Sequence, residues 1–168
     1  NNNGSPISPL MFNAVGGSTI HWTAHAPRFH PSDFRVNTLD GIADDWPLSY
    51  GDLEPYYELN DRMMGCSGIN GDPANPDREA RQTPPLSLGP DGERLVDGFE
   101  KLGWHWWPSD SYILSDAYDG REACNYCGPN GLGCVLGAKA STDITYWSRA
   151  TDAGARVRIR CRANEITV

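Results

Sequence analysis

The sequence predicts an α/β domain threaded by long irregular connections, on three observations. Apolar residues recur at helical spacing in two segments that each run into glycine, and a third helical segment leads into a strictly alternating run at residues 155–163. The 18 glycines and 13 prolines among 168 residues leave much of the chain for turns and loops. At 39% apolar and 21% charged, the composition is that of a globular chain long enough to bury a core.

Taken in order, NNNGSPISPL is polar and turn-rich and does not begin with Met, so it reads as the interior of a longer chain. In DLEPYYELNDRMMGCSG, Asp52 is the expected helix cap, with Pro55 in the first turn, where a missing N–H costs little. Leu53, Tyr57 and Met64 share a face and Gly65 ends the helix. Residues 70–90 hold five prolines and read as a connecting loop or domain crossing. DGERLVDGFEKLG repeats the helical device, with Leu95, Phe99 and Leu102 on one face and Gly103 as the stop. STDITYWSRATDAG predicts a helix closed by Gly154. ARVRIRCRA then alternates as a half-buried strand, with Val157, Ile159, Cys161 and Ala163 inward. Its four outward arginines form a solvated face or an anion site.

Fourteen basic against 22 acidic residues give a net charge of −8, which argues against a nucleic-acid partner. No apolar run approaches the roughly 18 residues of a membrane span, and the N-terminus lacks the layout of a signal peptide. Five cysteines make an odd set, which disfavours a complete disulfide framework.

The chemistry concentrates in NAVGGSTIHWTAHAPRF, residues 13–29. Gly16 and Gly17 bare the backbone, and Ser18 and Thr19 add hydroxyls, a pattern that suits close approach to a pyrophosphate or flavin ring and also occurs in plain loops. His21 follows at once, as an imidazole beside a cofactor cradle or as a hydrogen-bonded half-buried histidine.

VGGSTIHWTAHAPRF resembles the flavin-attachment segment of the glucose-methanol-choline oxidoreductases, in particular the pyranose oxidase and sugar or gluconate dehydrogenase branch. DDWPLSYGDLEPYYELNDRMMGCSG and GCVLGAKASTDITYWSRATDAGARVRIRCRANEI resemble two further blocks of that family, in the family's order. The resemblance implies that residues 1–168 are part of a Rossmann-like FAD-binding domain. Residues 11–29 would be the flavin-attachment segment, 70–90 the Pro-rich connection, and 134–168 the helix and strand near the adenine. It implies cofactor contacts for Gly16, Gly17, Ser18, Thr19, Trp22 and Thr23, an 8α-histidyl bond to FAD at His21, and Ala163 where the family has an adenine-contacting valine. The family's GxGxxG unit and the C-terminal substrate domain with its catalytic histidine pair are not in this sequence, so no catalytic residue is expected here. The implied reaction is hydride transfer from the CH–OH group of a sugar, sugar acid or other alcohol to flavin, with oxygen, a quinone or a cytochrome as electron acceptor.

Cys124, Cys127 and Cys134 fall within eleven residues. Three thiolates so spaced could hold a metal or an iron–sulfur cluster, as in some dehydrogenases of that family, or be structural thiols, or form one local disulfide. Trp104, Trp106 and Trp107 form a sugar-stacking platform or pack beside the second helix. A rival function, a non-enzymatic module organised by metal on the three cysteines, leaves GGSTIHWT without a role.

Overall fold

The computed structural model describes Gly4 and residues 11–167, and its regular structure is helical: α1 (Val36–Asp40), α2 (Tyr50–Met64), α3 (Gly89–Leu102) and α4 (Tyr146–Asp152), with 3-10 turns at Gly17–Ile20, Pro31–Arg35 and Asn130–Leu132. Apart from Gly4, the turn-rich opening run lies outside the described residues.

Ser49, not Asp52, caps α2. The Ser49 hydroxyl accepts the Asp52 N–H at 3.4 Å while the Asp52 carboxylate accepts the Ser49 N–H at 2.8 Å, so the two residues satisfy each other's free donors. The helix therefore begins earlier than the apolar spacing predicts, and Pro55 sits in its second turn, exposed. Gly65, at φ 77°, closes the helix by donating to the Asp61 carbonyl at 2.8 Å. Its inward face is partly ionic: Glu58 and Asp61 are buried together with Tyr50 and Met64.

Helix α3 ends as expected at Gly103, whose left-handed φ of 65° a side chain would disfavour. None of its residues is buried, however, and Leu95 and Leu102 are 60% and 62% exposed. Trp104 stacks on Phe99 with centroids 6.0 Å apart, so part of the Trp-rich segment packs beside the helix. Helix α4 is shorter than predicted, because residues 141–145 turn onto the core and the Thr145 hydroxyl donates back to the Ser141 carbonyl at 2.9 Å.

The core is made of Ala24, Met64, Cys66, Tyr112, Ile113 and Ala140. Short extended stretches meet there by single-residue bridges, His25 and Ser67 each to Ser111, Ser67 to Thr83, and Ile113 to Lys139. Among the described residues these isolated bridges replace a sheet, so the Rossmann-like α/β layering is not seen; of the four helices, α2 through Met64 and α4 through Tyr146 pack on this bridged, largely irregular core. The predicted strand over 155–163 is likewise absent, with Val157 at 37% and Ile159 at 67% exposed. Alternation supplies a strand with two faces, but the strand exists only through a neighbour's hydrogen bonds, and no bridge reaches this segment. No described helix is long and apolar enough to cross a membrane.

Candidate functional site

The diglycine turn is built against the block that starts at Ala138. Gly16 lies at φ 95°, and a Cβ there would stand 2.7 Å from Asp143 Oδ1, so both conformation and space require glycine. At Gly17, φ 56°, a Cβ would meet only the Phe12 carbonyl oxygen, at 4.0 Å. The Thr19 hydroxyl donates to the Gly16 carbonyl at 2.5 Å and accepts the Thr142 N–H at 3.1 Å, while the Thr142 hydroxyl donates to the same Gly16 carbonyl at 3.0 Å. Ser18 Oγ accepts the Phe12 N–H at 3.2 Å. Both hydroxyls read as cofactor contacts thus also hold the turn in shape.

Trp22 turns inward. Its indole N–H donates to the Ala140 carbonyl at 2.9 Å and its ring lies 5.8 Å from that of Tyr112. Ala24 follows, fully buried at φ 62° in the left-handed region that alanine rarely adopts, and its carbonyl accepts the Tyr112 N–H at 2.8 Å. The buried bridge region over-determines this strained residue and fixes the chain's exit from the motif.

His21 points out of this frame. Its ring is exposed and sits edge-on to Phe12, with centroids 4.3 Å apart. Nδ1 lies 3.1 Å from the Gly131 carbonyl. A carbonyl can only accept, so Nδ1 carries a proton, and in the neutral ring the lone pair is on Nε2. Thr23 is exposed next to it.

Sequence reasoning missed two residues of the site. Lys139 is 1% exposed, yet its ammonium donates to the carbonyls of Ile20 at 2.8 Å, Trp22 at 2.8 Å and Asn130 at 2.6 Å. Burial pulls its pKa below the ordinary lysine value, with the Cys134 and Asp143 charges opposing. The only local signal is a charge set between Ala138 and Ala140, both 0% exposed. The second residue is Asp143, whose Oδ1 is buried beside the bare Gly16 α-carbon without a donor. Asp143 thus covers Gly16, and the part of the turn that fits a planar group such as a flavin is Gly17, where a Cβ would meet only the Phe12 carbonyl at 4.0 Å, together with the exposed His21 ring. Ala163, the residue expected near an adenine, is exposed in the irregular segment after α4.

The three clustered cysteines are engaged separately. Cys124 and Cys134 each accept a backbone N–H at 3.4 Å, from Tyr126 and Lys139, and Cys127 is exposed. Among the described residues no three His, Cys, Asp or Glu side chains are grouped to hold a metal, and the five thiols are free. Burial, with Asp61 and Asp110 nearby, pushes the Cys66 thiol well above its ordinary value. Alkylation of native protein is therefore expected to label Cys127 and Cys161 and to spare Cys66 until the chain unfolds, as peptide mass spectrometry would read.

No protein-family model matches the chain. It is 41% identical over 162 residues to a 2-methyl-1,2-propanediol dehydrogenase of Mycolicibacterium austroafricanum, covering 95% of this chain and 29% of that protein. It is 31% identical over 166 residues to the fructose dehydrogenase large subunit of Gluconobacter japonicus, covering 88% of this chain and 30% of the relative. A 6'''-hydroxyparomomycin C oxidase of Streptomyces lividus is 32% identical over 121 residues, 69% of this chain and 22% of that oxidase. The chain thus spans less than a third of the length of these relatives, and what it resembles over most of its own length is one segment of proteins named as dehydrogenases and oxidases.

Proposed function

We propose that this chain is the flavin-holding segment of a glucose-methanol-choline oxidoreductase that oxidises a CH–OH group of a small alcohol, diol or sugar. The observation that carries the reading is His21, exposed just after the diglycine turn with Nδ1 committed to the Gly131 carbonyl and Nε2 open. The relatives' names, a propanediol dehydrogenase and a fructose dehydrogenase, supply the substrate class.

Bound FAD would supply the hydride acceptor. The chain's own residues bind and orient it. Gly16 lets the turn pass against Asp143, and Gly17, where a Cβ would meet only the Phe12 carbonyl at 4.0 Å, is the part of the turn that leaves backbone open to a planar ring. Nε2 of His21 is the nitrogen available for a covalent link at the 8α position, and the exposed Thr23 hydroxyl stands next in the chain to hydrogen-bond near the ring. Ala163 belongs to the adenine end by resemblance. The alternative, a metal-organised module, is disfavoured because the three cysteines are not grouped.

The test is the full-length protein as purified. A flavin absorbance that bleaches anaerobically on addition of 2-methyl-1,2-propanediol or fructose is the expected result, with reoxidation by oxygen, a quinone or a cytochrome identifying the acceptor. A colourless protein with stoichiometric zinc would overturn it.

A further inference from the structure

We propose that Lys139 is the positioning residue for His21, holding the imidazole in the Nδ1–H form with Nε2 presented outward. An ammonium has three N–H bonds, and Lys139 directs them at three carbonyls. Two of those carbonyls, of Ile20 and Trp22, are the backbone groups on either side of His21. The third, of Asn130, immediately precedes Gly131, whose own carbonyl fixes His21 Nδ1. One buried cation thereby joins the segment that carries the ring to the turn that sets its tautomer.

The cation is itself anchored. Lys139 forms the bridge to Ile113, and its neighbours are tied into the core through Leu114 N–H to the Ala138 carbonyl at 3.0 Å and Ala140 N–H to the Tyr112 carbonyl at 2.7 Å. The turn it grips has mainly short-range bonds of its own, Asn130 to Gly128, Leu132 to Pro129 and Gly133 to Asn130. Without the ammonium, the 128–133 turn is free to drift from the Ile20–Trp22 segment, and the Nδ1–H···O=C contact has no partner held in register. The purpose of that register rests on the flavin reading above, whereas the geometry does not.

The experiment reads the ring rather than activity. Full-length protein is labelled with 15N-histidine in a riboflavin-starved host, so that it is flavin-free, and the His21 nitrogen resonances are recorded for wild type, Lys139→Met and Lys139→Arg. Cooperative thermal melting establishes that each variant is folded. In the wild type the neutral ring is expected to carry its proton on Nδ1. In Lys139→Met the resonances should shift toward the Nε2–H form that a free histidine side chain favours. Should Lys139→Met fail to fold, Lys139→Arg, which keeps the charge but cannot aim one nitrogen's three bonds at three carbonyls, is read in the same way. A wild-type ring protonated at Nε2, or a folded Lys139 variant with the wild-type tautomer, overturns the assignment. Wild-type protein that never takes up flavin while showing the Lys139-dependent Nδ1–H ring overturns the flavin reading alone.

Discussion

Replacing His21 with alanine is expected to move the flavin of acid-precipitated protein from the pellet to the supernatant. Nε2 is the only imidazole nitrogen left with a lone pair, because the Gly131 carbonyl claims the Nδ1 proton, and the exposed ring presents that lone pair to whatever lies on the turn. Alanine removes the nucleophile and leaves the rest of the cradle in place. The Gly16 carbonyl is still held by Thr19 and Thr142, and the left-handed backbone at Gly16 and Gly17 is untouched. The variant should therefore bind FAD, visible as coloured native protein, while losing nearly all acid-stable flavin. A lost imidazole link also lowers the flavin's potential, so substrate oxidation should slow by roughly tenfold, about 1.4 kcal/mol in the barrier. Flavin in the acid supernatant of the wild type would show that His21 is a neighbour of the ring and nothing more.

What the sequence revealed and what it hid divide along the range of the interactions. Helices α2 and α3 were legible because their signals are local: periodic apolar residues, and glycines at positive φ closing each one. The error at the start of α2 was equally local, since Ser49 and Asp52 are three apart and either could be taken for the cap. The strand over 155–163 failed because alternation says nothing about a partner, and for the same reason the apolar stripe of α3 stays partly exposed.

The site shows the same division. GGSTIH exposes the imidazole in one short string, but the groups that decide what the imidazole can do lie 110 or more positions away in sequence, at Gly131 and Lys139. A lysine between two alanines has no periodic reason to be buried; three carbonyls arriving from two other segments provide one. Cysteine spacing in turn limits which thiols could share a metal without closing the loop. In CNYCG the left-handed Tyr126, φ 57°, and Gly128, φ 102°, set the course of the backbone instead.

Arg28→Ala is expected to cost about 3–5 kcal/mol of folding stability, the range for removing one partner of a buried ion pair. The guanidinium side chain is 5% exposed and bonds Glu58 at 2.7 Å and Asp61 at 2.5 Å, with side chains 12% and 5% exposed. It also donates to the Tyr50 hydroxyl at 3.2 Å and lies 5.2 Å from the centre of the Tyr57 ring. Burial by itself would lower the Arg28 pKa, and the hydrogen bonds to Asp61, Tyr50 and Glu58 more than reverse it, so the cation is held above its ordinary value. Alanine strands two carboxylates in a site that water barely reaches. Asp61 keeps the Tyr112 hydroxyl at 2.6 Å, which is a neutral donor and cannot replace a charge. Against a total stability of about 5–15 kcal/mol, such a loss is large. Denaturant titration should show a lower midpoint with an unchanged slope. Adding Glu58→Gln to Arg28→Ala should recover part of the deficit, because it removes one stranded charge, whereas Glu58→Gln in the wild type should destabilise; a purely additive pair would mean that the carboxylate is not what the arginine neutralises. The effect should reach the site as well. Arg28 ends the segment that begins at the diglycine turn and is its ionic tie to α2, so loosening it frees Trp22 and His21 from one side. Protein refolded with Arg28→Ala should accordingly show faster amide exchange at residues 21–28 than the loss of global stability alone accounts for.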